Sequence, residues 1–315
     1  MINLRMDEFD LIRKYLMPIS SAESQFLSND GAVFKPKSKV DYVVSTDTIV
    51  EKIHFKGNET PDLIAKKALR TNLSDLAAMG ADPEYYSLSL SLPRIKAQRF
   101  IEDFAKGLKE DQEKYNIKLL GGDLTASSGL ITITINIIGS VPSGKSISRS
   151  KSVANDLLYV TGVLGLSNIG LLNLDNKDNK FTMAKLRYHL PQPRLKFSAS
   201  VRNFVTSMID ISDGFIQDCK HLARMSNLEF VINLENLPIS NIDLLTYEER
   251  LNAALIGGDD YELLFTSPPV FQKEIYKMAK AQDLQVTNIG YVKFGKNGQV
   301  TSNNNSINID AYKHF

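Results

Sequence analysis

The 315-residue sequence contains a single cysteine, Cys219, and lacks any long hydrophobic run. One cysteine excludes an intramolecular disulfide and a zinc site built on several cysteines. No segment is long and apolar enough to span a bilayer. The first 16 residues mix charged with apolar side chains, unlike the hydrophobic core of a signal peptide. We therefore expect a soluble, cytoplasmic protein.

A strong charge of either sign is also missing, because 37 Lys and Arg nearly balance 36 Asp and Glu. This balance creates no overall field that would attract nucleic acid or an anionic membrane, so neither is an expected partner. A ligand that carries phosphate must then be held by local chemistry, such as metal ions, backbone amides or a few placed cations.

The length of the chain favours two domains over one, since single cores stop growing near this size. The hydrophobic periodicity predicts helices mixed with short strands, at 40–46, 85–92, 117–120, 130–138, 157–161, 208–211, 230–234 and 261–266. Residues 139–152 are rich in turn formers and are the best candidate for a boundary. We predict an α+β fold with domains at 1–148 and 149–315.

Aspartates recur at the predicted ends of strands in both halves. The set comprises Asp47, Asp123, Asp210 and Asp213, with Asp30 and Asp75 as further candidates. Any one of them alone fits an ordinary structural role, because Asp is common in turns and helix caps. Asp75 is different, since it lies inside a predicted helix, a poor position for Asp, and on the same face as Asn72.

Carboxylates that converge repel each other, at a cost of roughly 1 to 4 kcal/mol per pair at about 4 Å. Such a cluster is tolerable only with cations in it, and oxygen ligands without His or Cys suit Mg²⁺. Phosphoryl transfer needs mainly positioning and charge neutralisation, which metal ions supply. If the aspartates converge, the pattern predicts metal-assisted phosphoryl transfer.

Residues Gly139–Ser146 match the P-loop pattern G-x-x-x-x-G-K-S and follow a predicted strand. A P-loop works only when it opens into a helix whose N-terminus faces the phosphates. Here the following residues are rich in serine, have little apolar periodicity and lead to another predicted strand. We therefore favour a hairpin or an interdomain connection, with a P-loop kinase as the alternative.

Several motifs, read together, resemble the thiamine-monophosphate kinase family, in the superfamily of aminoimidazole-ribotide synthetase and selenophosphate synthetase. They are EFDLI, STDTIVEKIHF, KALRTNLSDLAAMGADP, YNIKLLGGDLT, ISRS, YVTGVLG, IDISDG, IGGDDYELLF and AYKHF, in family order from residue 8 to 315. The resemblance implies an N-terminal domain that dimerises through its sheet and a C-terminal α+β domain. It also implies ATP- and Mg²⁺-dependent transfer of the γ-phosphoryl group to thiamine monophosphate, giving thiamine diphosphate.

The resemblance also assigns roles to individual residues, none of them a covalent nucleophile. The metal ligands would be Asp30, Ser45, Thr46, Asp47, Asp75, Asp123, Asp210 and Asp213. The ATP contacts would be Tyr115, Gly121, Gly122, Arg149 and Ser212. The contacts to thiamine monophosphate would be His54, Asp259 and Tyr312.

The sequence departs from the family pattern at three places. Asn29 replaces the first of two aspartates, Asp259 replaces a longer Glu, and Tyr312 replaces an aromatic residue that is often Trp. Selenophosphate synthetase is disfavoured, because Cys219 lies in a predicted helix and not in the N-terminal loop. A ribotide cyclo-ligase and a non-catalytic nucleotide- or metal-binding regulator remain as alternatives.

Overall fold

The chain folds into two units, and a computed structural model describes residues 6–302 and 305–307. Unit 1 holds the residues up to Leu76 together with Asp82–Gly144, and unit 2 holds Ala77–Ala81 and the residues from Lys145 onward. The main crossing between the units is at 144/145, four residues before the predicted boundary at 148/149. The mixed α+β character and the two-domain layout agree with the sequence prediction.

Unit 1 is built on a sheet that has four strands within the described residues. The strands are β1 (Val40–Val50), β2 (Asp82–Pro93), β3 (Lys118–Ser127) and β4 (Thr132–Pro142), in the order β1-β4-β2-β3. Strand β4 is antiparallel to β1 and β2, whereas β3 is parallel to β2. The helices are α1 (Glu8–Leu11), α2 (Pro61–Ala78, whose last two residues belong to unit 2) and α3 (Ala97–Tyr115).

The core of unit 1 follows from period-2 and period-3.6 patterns. In β2, Tyr86, Leu88 and Leu90 are buried while the serines between them are only half-buried. In α3, Phe100 and Phe104 are buried one turn apart. Helix α3 ends at Asn116, whose left-handed backbone (φ 52°) turns the chain into β3.

Unit 2 carries a second sheet, with seven strands in the part of the chain that is described. They are β5 (Leu157–Thr161), β6 (Ser207–Asp210), β7 (Glu229–Ile232), β8 (Leu263–Ser267), β9 (Val286–Lys293), β10 (Val300–Ser302) and β11 (Asn305–Ser306), in the order β11-β10-β7-β9-β5-β8-β6. The helices are α4 (Leu166–Leu172), α5 (Thr182–His189), α6 (Leu195–Val201), α7 (Phe215–Met225), α8 (Tyr247–Ile256) and α9 (Gln272–Lys280). Cys219 belongs to the hydrophobic core of this unit, and burial raises the pKa of its thiol.

Two strands run further than the sequence predicted, which corrects the placement of two aspartates. Asp47 lies within β1, opposite Ile135 of β4, and Asp123 lies within β3, opposite Ser89 of β2. Both strands continue because their backbone hydrogen bonds to neighbouring strands do not depend on an apolar side chain. Asp210 is the last residue of β6, which ends one residue before the predicted strand 208–211 does.

No helix in the described ranges combines the length and the apolar character needed to cross a membrane.

Candidate active site

The first group of predicted metal ligands in unit 1 lies between strand β1 and helix α2. The Ser45 hydroxyl donates to Asp75 Oδ2 at 2.5 Å, and the backbone N–H of Asp47 donates to Asn72 Oδ1 at 3.1 Å. The Asn72 amide donates in turn to the carbonyl oxygen of Ala68 at 2.9 Å, which fixes the orientation of its side chain. Ser45 and Asp47 share a face of β1 by strand alternation, so both come to α2.

Thr46 lies on the opposite face of β1, as the alternation of a strand requires. Its hydroxyl donates to Asn136 Oδ1 of β4 at 2.6 Å, in an exposed position. The structure therefore does not bring the Thr46 side chain together with those of Ser45 and Asp75.

A second group in unit 1 surrounds a cavity of about 360 Å³. Its lining includes Asn29, Asp30, Gly121, Gly122 and Asp123, so the N-terminal segment meets strand β3 here. Two predicted ATP contacts and two predicted metal ligands thus share one concave surface. Asp30 and Asp123 are both exposed and available to a ligand or ion.

The two glycines beside Asp123 serve different purposes. A Cβ at Gly122 would overlap the backbone carbonyl of Leu88, so glycine is needed there for the pairing of β3 with β2. A Cβ at Gly121 would meet nothing within 4 Å. Our expectation that both glycines let a ligand approach therefore fits Gly121, whereas Gly122 is required by the sheet itself.

Tyr115, a predicted ATP contact, is the last residue of helix α3 and is held by a buried ion pair. The Arg70 guanidinium lies 5.7 Å from the centre of the Tyr115 ring. Arg70 forms a two-pronged ion pair with Asp111, at 2.6 Å from Nε and 2.8 Å from Nη2. Burial acts to lower the pKa of Arg70, but the Asp111 carboxylate outweighs it and the pKa lies above its ordinary value.

His54, a predicted substrate contact, closes the turn after β1. Its Nδ1 accepts a hydrogen bond from the backbone N–H of Val50 at 3.0 Å, and its carbonyl oxygen accepts one from Lys67 Nζ at 3.1 Å. The ring is half-buried and fixed in orientation by these contacts.

In unit 2, the predicted ligands Asp210 and Asp213 flank a tight loop between β6 and α7. The backbone N–H groups of Ser212 and Asp213 donate to Asp218 Oδ2 at 3.2 and 3.1 Å. Asp218 is 3% exposed, and burial, followed by the charges of Asp210 and Asp213, raises its pKa well above the ordinary value. Three mutually repelling carboxyl groups thus lie around this loop.

Asp259 lies on a neighbouring loop of unit 2 that is bonded to the one just described. Its backbone N–H donates to the carbonyl oxygen of Ser212, and that of Tyr261 donates to the carbonyl oxygen of Ile211, both at 2.8 Å. A Cβ at Gly258 would come within 2.6 Å of the same Ser212 oxygen, so a glycine is needed for this approach. These backbone hydrogen bonds therefore hold the predicted ATP contact Ser212 next to the predicted substrate contact Asp259.

Arg149 and Tyr312 are two further predicted contacts. Arg149 is exposed, and its carbonyl oxygen accepts a hydrogen bond from the Ser226 hydroxyl at 3.3 Å. Tyr312 lies outside the described residues. Among the residues that are described, no group of three or more His, Cys, Asp or Glu has the arrangement of a metal site.

The segment with the P-loop pattern does not have P-loop geometry. Strand β4 includes Gly139 and ends at Pro142, and Gly144 (φ 74°) makes a turn whose N–H donates to Asp41 Oδ2 at 2.7 Å. No helix begins between this turn and β5 in the described chain. The carboxylate of Asp41 occupies the backbone donor that a phosphate would need, so the P-loop alternative is wrong.

Comparison with known proteins places these motifs in a family. Residues 28–141 match the family model described as AIR synthase related protein, N-terminal domain. Thiamine-monophosphate kinase of Haemophilus influenzae is 35% identical over 298 residues, covering 92% of this chain and 90% of that protein. Thiamine-monophosphate kinase of Escherichia coli is 38% identical over 273 residues, covering 83% and 82%.

The chain belongs to the thiamine-monophosphate kinase family. Solved structures agree with this assignment. Thiamine-monophosphate kinase from Stenotrophomonas maltophilia has a TM-score of 0.84 and 31% identity, with 89% of this chain and 91% of that chain covered. AaThiL complexed with AMPPCP and TMP has a TM-score of 0.80 and 28% identity, with full coverage of both chains.

Two residues that the resemblance did not assign to the site form hydrogen bonds with the backbone of predicted site residues. Asn72 holds the backbone of Asp47, and Asp218 holds the backbone of Asp213. Both lie inside family motifs or one helical turn after them. Such residues can be found in a sequence as polar residues on the apolar face of a predicted helix. We identified only Asn72 in this way.

Proposed function

We propose that this chain transfers the γ-phosphoryl group of ATP directly to the phosphate of thiamine monophosphate, giving thiamine diphosphate and ADP. One observation carries the proposal: two proteins named thiamine-monophosphate kinase share 35% and 38% identity with it over more than four fifths of their own length. The binding of AMPPCP and TMP by AaThiL, which covers the whole chain, supports the same pair of substrates.

We further propose that the protein uses Mg²⁺. The donor chemistry fits, because the predicted ligands offer hard oxygen atoms without His or Cys. In unit 1 these are Asp30, Ser45, Thr46, Asp47, Asp75 and Asp123, and in unit 2 they are Asp210 and Asp213. When bound to these residues, Mg²⁺ would supply positive charge that neutralises the phosphate groups.

The repulsion around the unit 2 loop supports a cation there. Burial and the charges of Asp210 and Asp213 raise the pKa of Asp218, a sign that negative charge is crowded at this place. A divalent cation would relieve this crowding. Asn29, which replaces an aspartate of the family pattern, removes one negative charge next to Asp30.

The chain's own residues supply binding and orientation in this proposal. Tyr115, Gly121, Gly122, Arg149 and Ser212 contact ATP, and the open space at Gly121 supports a close approach of nucleotide to backbone. His54, Asp259 and Tyr312 contact thiamine monophosphate. The ring of His54 is held by the backbone N–H of Val50, so it reaches the substrate in one fixed orientation.

The proposal includes a homodimer and a cytoplasmic location. No described residue covers one face of strand β1, and Val44 on that face is 65% exposed. Pairing of two such sheet faces would bury it, and sedimentation of the purified protein tests this. The consumption of ATP supports the cytoplasm as the compartment.

The deciding experiment measures ADP formation by the purified protein with ATP and Mg²⁺. We expect ADP and thiamine diphosphate in equal amounts when thiamine monophosphate is present, and little ADP without it. The ribotide substrate of the cyclo-ligases serves as the control acceptor. ADP formation with the ribotide alone would contradict the proposal, and no ADP under any condition would favour a non-catalytic regulator.

A further inference from the structure

The loop that carries Asp259 has an unusual backbone. Asp259 (φ 67°) and Tyr261 (φ 51°) both adopt the left-handed conformation, which residues other than glycine rarely do. Such conformations persist only where the surrounding structure enforces them, and they cluster at functional sites. The buried residue Asp260 lies between these two left-handed residues, so the contacts of the loop must hold this backbone in place.

The explanation is a pair of inward-pointing carboxyl groups that alternate with Asp259 and Tyr261. Asp260 accepts hydrogen bonds from the backbone N–H groups of Gly165 at 2.7 Å and Ser167 at 3.3 Å. Glu262, which is 2% exposed, accepts the Thr161 hydroxyl at 2.6 Å. These contacts attach residues 260 and 262 to the last residue of β5 and to the start of α4.

A half-buried arginine, Arg194, completes the attachment at Glu262. Arg194 donates to one carboxylate oxygen from Nε at 2.7 Å and to the other from Nη2. A two-pronged bond of this kind fixes direction as well as distance. Because the residues on both sides of it are anchored, Tyr261 is held in its left-handed conformation, and Asp259 directly precedes the first anchor.

The Tyr261 side chain forms a hydrogen bond with the Asp259 carboxylate. The Tyr261 hydroxyl donates to Asp259 Oδ1 at 3.0 Å, and the Tyr261 side chain belongs to a residue only 9% exposed, whereas Asp259 is half-buried. A packed aromatic ring has few alternative rotamers, so its hydroxyl is a fixed donor. It therefore fixes the direction of the Asp259 carboxylate.

We propose that Tyr261 is a positioning residue that orients the Asp259 carboxylate toward the thiamine part of the substrate. This inference rests on the proposed function. Thiamine carries a cationic ring and an amino group, which a carboxylate complements. Asp259 is one methylene shorter than the glutamate of the family pattern and has less reach to correct its own orientation, so a fixed donor matters more here.

The test uses four proteins: the parent and the variants Tyr261→Phe, Asp259→Ala and the double variant. Tyr261→Phe removes only the hydroxyl and keeps the ring. Tyr247→Phe is the matched control, since Tyr247 belongs to the same unit and is 52% exposed. Melting temperatures of all variants are compared with the parent, and KM for each substrate is measured together with kcat.

We expect Tyr261→Phe to raise KM for thiamine monophosphate about three- to tenfold, with KM for ATP and kcat within about twofold of the parent. In the Asp259→Ala background the same change should add nothing, because the hydroxyl has lost the group it orients. Tyr247→Phe should behave as the parent.

Three outcomes would overturn the positioning role: a parental KM in Tyr261→Phe, an equal rise in KM for both substrates, or full additivity in the double variant. None of these outcomes contradicts the proposed function, because formation of thiamine diphosphate by the parent is measured separately. A parent protein that makes no thiamine diphosphate would refute the proposed function and the substrate role of Tyr261 with it.

Discussion

The buried Arg70–Asp111 pair allows a prediction that joins stability to nucleotide binding. Its side chains are 7% and 2% exposed, and two short hydrogen bonds join helix α2 to helix α3. The change Arg70→Met keeps most of the side-chain length but leaves the Asp111 carboxylate buried without its cation. Removing one partner of a buried pair costs about 3 to 5 kcal/mol, because the remaining charge has lost its compensation.

That loss is large beside the total stability of a folded protein, about 5 to 15 kcal/mol. The double variant Arg70→Met, Asp111→Leu removes both charges and should recover at least half of the loss, since apolar residues of similar volume often replace such pairs well. The control is the exposed pair Lys106–Asp103 on the same helix, with side chains 62% and 40% exposed. Removing that pair should leave the free energy of unfolding almost unchanged, because water and salt screen exposed charges.

The same variants test the role of Tyr115. The guanidinium of Arg70 lies over the Tyr115 ring, and such contacts contribute about 0.5 to 1 kcal/mol when partly exposed. The double variant should therefore keep KM for ATP raised about two- to fivefold even where stability has returned. Urea unfolding gives the stability, and initial rates give KM.

Two results would refute this reasoning. The first is a cost below about 1 kcal/mol for Arg70→Met, which would mean that water reaches Asp111. The second is a double variant as unstable as the single variant, which would place the loss in packing and not in the unpaired charge.

Three further predictions concern the metal, the P-loop pattern and pH. Mg²⁺ and ATP together should raise the melting temperature by more than the sum of their separate effects, because each completes the other's site; equal melting temperatures in all conditions would contradict the metal hypothesis. Asp47→Asn and Asp123→Asn should each lower kcat at least ~10²-fold, about 2.7 kcal/mol of barrier, whereas Lys145→Ala should stay within about tenfold; the reverse order would restore the P-loop interpretation. Burial raises the pKa of Asp260 from 3.8 to about 8, so the folded protein holds a proton that the unfolded chain has released between these values. Stability should therefore fall as pH rises through this window, by at most about 1.4 kcal/mol per unit, and Asp260→Asn should remove that slope in urea unfolding; equal slopes in both proteins would mean that Asp260 is ionised throughout.

The family and most of the secondary structure could be predicted from the residues alone. Helix α2 could be predicted from its opening proline and its apolar residues, and Asp75 was rightly placed in its interior. Strand β5 was predicted with its observed bounds, because a β-branched and aromatic run ends there at a glycine. The failure of the P-loop pattern was also predictable, since the residues that follow it lack the period of a helix.

The ends of β1 and β3 depend on the packing of the folded chain, and so do the contacts of the polar residues near the site. Asp47 and Asp123 looked like residues after a strand, but pairing with β4 and β2 carries both strands past them. The contacts of Asn72, Tyr261 and Glu262 join residues that are far apart in sequence or that face each other across a turn. A hydrogen bond depends on distance and direction in space, and local sequence patterns carry neither. For that reason the chemistry of the site could be predicted from residue types, and its geometry could not.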